Sequence, residues 1–127
     1  MVLTRRDFME KLLKVLIFAS RSEKNRKMVF GEYPFICVQH WMAGFRMGQL
    51  ASGHCDMEEH YSFLEFIFQS LNEPTSGMTP IKLIIQKTNS DEEAYSLFFS
   101  IVQEYCRIKG LSFTDERYLR FSDQTDD

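Results

Sequence analysis

The stretch "SDEEAYSLFFSIVQEYCRIKG", residues 90–110, decides the fold because it has the pattern of one long amphipathic helix. Ser90 and Glu93 form a capping box, in which each side chain binds a backbone N–H group at the start of a helix. Apolar residues follow at steps of three and four, which places them on one helix face: Ala94, Leu97, Phe98, Ile101, Val102, Tyr105 and Ile108. Gly110 is a typical helix terminator. We therefore predict a helix that fills the stretch up to Gly110.

Outward from this helix, the same apolar spacing predicts four further helices. The first covers roughly residues 5–20, a longer one covers roughly residues 35–52, and a third starts at Asp56. Thr79 as N-cap, followed by Pro80, starts a short fourth helix. Its run "IKLIIQK" would also suit a strand, and periodicity alone leaves both open.

The charged run "RSEKNRK", residues 21–27, is predicted to be a solvated loop after the first helix. Short connections, without a convincing pair of alternating strands, favour the all-α class and a compact antiparallel bundle of four to five helices. Residues 1–127 are expected to form a single helical domain. Within it, residues 111–127 are expected to be a partly ordered tail, packed on the bundle or fraying from it, as a short helix or a strand edge.

The composition argues against several classes of protein. Of the 127 residues 44% are hydrophobic and 26% charged, with a net charge of -3, unlike a disordered or broadly nucleic-acid-binding chain. The apolar run at residues 12–20 is far shorter than the roughly 20 residues that span a bilayer, and no signal-peptide cleavage site follows it. Three cysteines without a CxxC pair favour free thiols in a reducing compartment. We expect a cytoplasmic protein without a membrane or nucleic-acid partner.

The predicted second helix contains two glycines, Gly44 and Gly48, in its interior. Each costs a helix on the order of 1 kcal/mol relative to alanine, and close approach of a neighbouring helix is the usual reason to tolerate that cost. The helix also has two apolar stripes, one bulky and one mostly of small residues. We therefore expect it to be central, with a close crossing at the glycines.

Two candidates for catalytic or metal chemistry are weak. Zinc sites usually take four ligands that come in recognisable pairs. One cluster has suitable ligand atoms: His54, Cys55, Asp56 and His60. Within this cluster, Asp56 and His60 are the only pair at helical i, i+4 spacing. Cys37 and His40 are three residues apart, but large apolar neighbours would disfavour the thiolate. The sequence therefore predicts no enzyme, no catalytic residue, no metal and no cofactor. A small thiol- or metal-dependent enzyme centred on residues 54–60 stays a rival interpretation.

Acidic residues open the third and fifth predicted helices. In an up-and-down bundle of five helices, both helix starts fall at the same end, and together they would attract a basic protein. Carboxylates in a first helical turn are also favoured by the helix dipole alone, by roughly 0.3–1 kcal/mol. The expected partner-binding residues are Asp56, Glu58, Glu59, Asp91, Glu92 and Glu93.

Three segments carry a resemblance: "RKMVFGEYPFICVQHWMAGFRMGQL" (26–50), "YSFLEFIFQSL" (61–71) and "PIKLIIQKTNSDEEAYSLFFSIVQEY" (80–105). Together they resemble small bacterial helical proteins encoded beside polymorphic toxins, including immunity proteins of contact-dependent growth inhibition systems. The resemblance covers roughly residues 27–108. Its matching residues are Gly44 with Phe45, the run at 63–68, Asp91, Glu92, Glu93, Ala94, Phe98 and Phe99.

This resemblance implies a non-catalytic inhibitor that binds the C-terminal domain of a cognate toxin in the cytoplasm of the producing cell. Inhibition would block the active site or the substrate path of the toxin. Many such toxins are nucleases with basic clefts, so the resemblance agrees with an acidic binding end. A helical adaptor or regulatory protein without a toxin partner is the alternative, and the oligomeric state stays open.

Overall fold

Six α-helices make up the fold of the part of the chain that the structure describes. This computed structural model describes residues 5–53, 57–73 and 77–111, and these ranges contain no β-strand. The helices are α1 (Arg5–Ser20), α2 (Glu23–Phe30), α3 (Cys37–Ala51), α4 (Met57–Ser70), α5 (Pro80–Gln86) and α6 (Asp91–Ile108). The all-α class is confirmed, whereas the expected count of four to five helices is too low. Apart from Leu111, the predicted tail lies outside the described residues.

The additional helix is α2, which forms from the run that was expected to be a loop. The Ser22 hydroxyl oxygen accepts a hydrogen bond from the Asn25 backbone N–H at 3.0 Å and so caps the helix. Glu23 and Lys27, four residues apart, form an ion pair at 3.2 Å. Gly31 ends α2 with a φ of 70°, a conformation that favours glycine. Local capping and charge pairing thus make a helix of a segment with few apolar residues.

The centre of the core lies between α1 and α6. α6 packs against α1, α4 and α5, while α1 also packs against α2 and α4. Most of the predicted apolar face of α6 is buried, whereas Leu97 is partly buried and Ile108, at the end of the helix, is 55% exposed. Gly110, with a φ of 70°, follows the helix end as predicted. The side chains that are fully enclosed include Leu12, Leu13, Leu16, Phe35, Phe63, Ile67, Ile84, Phe98 and Val102.

The short helix α5 has the start that the sequence predicts. The Thr79 hydroxyl oxygen accepts a hydrogen bond from the Lys82 backbone N–H, and Pro80 occupies the first helical position. Its apolar side chains at positions 81, 83 and 84 are buried in the core. The helical interpretation of this run is therefore confirmed over the strand.

The predicted close crossing at the glycines of α3 is wrong. A Cβ atom added at Gly44 or Gly48 would meet none of the described atoms within 4 Å. α3 buries Val38 and Met42 on one face, and its second stripe is exposed, with Met47 57% exposed. The small-residue stripe faces away from the core, so α3 is a peripheral helix and not the central one.

Among the described residues, no helix combines the length and the apolar character needed to cross a membrane.

Candidate functional site

The three acids at the start of α6 all have partners inside the protein. The Asp91 carboxylate accepts a hydrogen bond from the Phe35 backbone N–H at 3.2 Å. Ser90 accepts one from the Glu93 N–H, which is the serine half of the predicted capping box. The Glu93 carboxylate accepts its hydrogen bond from the Asn89 backbone N–H at 2.6 Å, one residue before the N-cap. These contacts join the α2–α3 connection to α6 and stabilise the start of α6.

Glu92, the remaining acid of this group, pairs with a cation from α2. Its two carboxylate oxygens accept hydrogen bonds from Arg26 at 3.0 and 3.1 Å, a bidentate arrangement. The Arg26 guanidinium also lies over the Tyr95 ring, 4.5 Å from its centroid. Hydrogen bonding to Arg26 lowers the pKa of Glu92. This pair therefore has a structural role, with or without a binding partner.

The two groups of acids do not share an end of the bundle, contrary to the expectation. Glu59 of α4 lines a cleft with Tyr105 and Lys109, which belong to the far end of α6. At 1.5 Å per residue, the 18 residues of α6 span about 27 Å. α5, with seven residues, spans only about 10 Å. A helix this short does not return the chain to the other end of the bundle, so α4 and α6 begin at opposite ends.

Of the predicted binding residues on the α4 side, Asp56 lies outside the described residues. Glu58 is exposed and Glu59 is half-buried. The structure therefore brings Asp91, Glu92 and Glu93 together and separates them from Glu58 and Glu59. Partner binding by all six residues stays a prediction.

The outer side of α4 carries a regular exposed pattern, which we call the α4 acidic face: Glu58, Tyr61, Glu65 and Gln69. Their spacing of three and four residues aligns them on one side of the helix. All four are exposed, and the Tyr61 side chain is 57% exposed. α4 has three glutamates and no lysine or arginine. The face therefore combines negative charge with one large aromatic ring.

A groove of about 260 Å³ lies between α3, α4 and the first turn of α5. Its walls are mainly apolar: Met42, Ala43, Leu64, Ile67, Pro80 and Ile81. Its polar lining comes from Gln39, Arg46, His60 and Thr79. The Thr79 hydroxyl donates a hydrogen bond to the Gln39 side-chain oxygen at 2.6 Å, which links α3 to the start of α5. We call this cavity the α3–α4–α5 groove.

His60 is the buried polar residue of the groove. Its side chain is 4% exposed, and its Nδ1 atom has no hydrogen-bond partner within the described ranges. Burial, and to a smaller extent the charge of Arg46, lowers the pKa of His60 to about 4. The imidazole is therefore neutral near pH 7, when it offers hydrogen bonding but no positive charge.

The candidate thiol and metal chemistry gains little support from the described residues. Burial raises the pKa of the Cys106 thiol to about 11, so it carries almost no thiolate near pH 7. The ranges with assigned structure contain no group of three His, Cys, Asp or Glu that could hold a metal ion. Of the zinc candidates, residues 54–56 lie outside those ranges, and the enzyme interpretation centred there is not tested.

No protein-family model, curated protein or solved structure matches this chain. Among the described residues, the α4 acidic face offers open, charged contacts to another molecule, and the α3–α4–α5 groove offers apolar walls with one cation.

Proposed function

We propose that the protein is a non-catalytic immunity protein that binds a cognate toxin domain of the nuclease class in the cytoplasm of the producing cell. The resemblance of three sequence segments to immunity proteins suggests the class. The α4 acidic face is the observation that carries the proposal, because it joins negative charge to an exposed aromatic side chain. Binding through this face would block the active site or the substrate path of the toxin.

The charge of the α4 acidic face suits a nucleic-acid-binding partner. Nucleases contact phosphates with lysine and arginine, so their substrate clefts are positively charged. Glu58 and Glu65 are seven residues apart, which is about 10 Å along the helix. Neutral His60 on the same helix does not offset their charge. Complementary charge of this kind accelerates association and selects the partner.

Tyr61 supplies an aromatic contact in addition to the charge of the glutamates. Its ring is exposed between the two glutamates, and buried tyrosines are frequent among the side chains that dominate protein–protein affinity. A ring at the centre with charges around it is the usual arrangement of such an interface. Glu92 and its neighbours are a second acidic position, and their internal hydrogen bonds stabilise the start of α6.

Co-expression with the toxin tests the proposal. Where the gene directly follows one for a secreted protein with a variable C-terminal domain, that C-terminal domain is the probe, and the measurement is growth of cells that produce it. The wild-type protein should restore growth, while the double variant Glu58→Lys/Glu65→Lys should restore it poorly. Glu23→Lys/Glu32→Lys is the control, because it makes the same charge change at two exposed residues elsewhere. It removes the ion pairs of both residues with Lys27, so its fold is first checked by circular dichroism, and the folded variant should protect like the wild type.

Two results would reject this function. One is unchanged toxicity in the presence of the wild-type protein at full expression. The other is a gene without any neighbouring secreted protein that has a variable C-terminal domain, which would favour the helical adaptor without a toxin partner.

A further inference from the structure

The size of the α3–α4–α5 groove limits what it can hold. Its volume of about 260 Å³ is below the roughly 300–1,000 Å³ of sites for drug-sized molecules. At about 30 Å³ per water, it equals about nine water molecules. A ligand of about ten non-hydrogen atoms fits this space, whereas a nucleotide or a folded segment does not.

The described lining of the groove carries charge of a single sign. Arg46 is the one charged side chain among the described residues that line it, and none of these residues is an acid. The guanidinium forms no ion pair with the described carboxylates, unlike Arg26 and Arg107. A cation beside apolar walls favours a ligand with an apolar body and an anionic end, since arginine binds carboxylates with two parallel hydrogen bonds.

His60 adds a second, independent indication of a ligand. It lines the groove, its side chain is more than nine-tenths buried, and its Nδ1 has no hydrogen-bond partner among the residues that the structure describes. A buried polar atom without a hydrogen bond is unfavourable, and most such atoms in folded proteins are satisfied. A ligand with polar atoms at the Arg46 end would provide the missing partner.

We propose that the α3–α4–α5 groove binds a small organic carboxylate with an aryl or alkyl body. The body packs against Met42, Leu64, Ile67 and Ile81, and the carboxylate pairs with Arg46 beside His60. This site is separate from the α4 acidic face, because His60 and Ile67 are buried in the core side of α4. It does not depend on the immunity function.

A pair of isosteric probes tests the proposal on the full-length wild-type protein. Phenylacetate and phenylacetamide have the same number of non-hydrogen atoms and differ in charge. In a nuclear magnetic resonance titration, phenylacetate should shift the backbone amides of Ala43, Arg46, Leu64 and Ile81 in a saturable way. It should bind about tenfold more tightly than the amide, as expected for a charge-assisted hydrogen bond.

Substitution of the cation sharpens the test. Arg46→Gln should remove the preference for the acid, while Lys82→Gln should keep it, because Lys82 is exposed on α5 and does not line the groove. Equal binding of acid and amide by the wild type would overturn the proposal, and so would shifts confined to residues outside the groove. A preference for the acid that persists in folded Arg46→Gln would also overturn it.

Discussion

α6 and α3 have similar lengths and are both rich in apolar residues, but the protein encloses only one of them. Eight residues of α6 are buried, whereas the buried residues of α3 are Val38 and Met42. α6 packs against α1, α4 and α5, while α3 makes its main contacts with α2. The difference shows that apolar spacing identifies a helix, whereas the neighbours available to it decide how many of its faces are buried. Stability is expected to depend on α6, and binding on the side formed by α3, α4 and α5.

The largest effect on stability in this comparison is expected when an aromatic ring of α6 is removed from the core. Phe98 is fully buried and lies edge-to-face with Phe35, with ring centroids 5.7 Å apart. Phe98→Ala should reduce the free energy of unfolding by about 3–5 kcal/mol in urea titrations. Met47→Ala, at an exposed position of α3, should change it by no more than about 0.5 kcal/mol. Similar losses for the two variants would mean that α3 is as enclosed as α6.

The second effect concerns pH and the buried side of α4. Because the pKa of His60 is about 4 in the folded protein and about 6.5 when unfolded, the unfolded chain binds the proton more readily. The His60 contribution to stability is therefore fully present above about pH 6.5 and is lost as the pH falls towards 4. The difference in pKa corresponds to about 3 kcal/mol.

Unfolding of matched variants between pH 7 and pH 4 isolates this contribution from that of the carboxylates. His60→Gln should show a shallower decrease of stability than the wild type, and His40→Gln, at an exposed position, should follow the wild-type profile. If the free energy of unfolding depends on pH equally in His60→Gln and in the wild type, the result would contradict a buried, neutral imidazole at His60.

The smallest change in the free energy of unfolding is expected for substitutions of the α3 glycines. The sign of this change shows whether a neighbouring helix lies close to them. Gly44→Ala and Gly48→Ala should each raise the free energy of unfolding by about 0.5–1 kcal/mol, because alanine favours the helix and its Cβ has free space. Gly31→Ala should destabilise instead, since its φ is 70° and the new Cβ would lie 3.1 Å from the Tyr33 ring. Destabilisation by alanine at Gly44 and Gly48 would restore the close helix crossing that the sequence suggested.

Capping signals explain which parts of the fold were predictable. Ser90 with Glu93, Thr79 with Pro80, and Gly110 each indicated a helix boundary that the structure contains. α2 lies where the charge run predicts a solvated loop, although two helix signals, Ser22 and the Glu23–Lys27 spacing, are visible in the sequence. The pattern of exposed residues on α4 was also visible as a spacing of three and four.

Relations between helices were harder to predict. An up-and-down order of helices predicts that α4 and α6 begin at the same end of the bundle. This prediction is wrong because α5 is too short to cross the bundle. The groove brings Arg46 from α3 close to His60 from α4 and Ile81 from α5. No local pattern in the sequence indicates that these three residues lie close together, because their proximity depends on how three helices pack.

The central claim is that the α4 acidic face captures a basic toxin domain. The most direct measurement is the association rate constant at low ionic strength between the purified protein and the C-terminal toxin domain that it neutralises in the co-expression experiment. Glu58→Lys/Glu65→Lys should slow association at least about tenfold, with a smaller effect at high salt, because steering by exposed charge is screened. Glu23→Lys/Glu32→Lys should associate at close to the wild-type rate. Equal rates for the two double variants at low salt would contradict the claim.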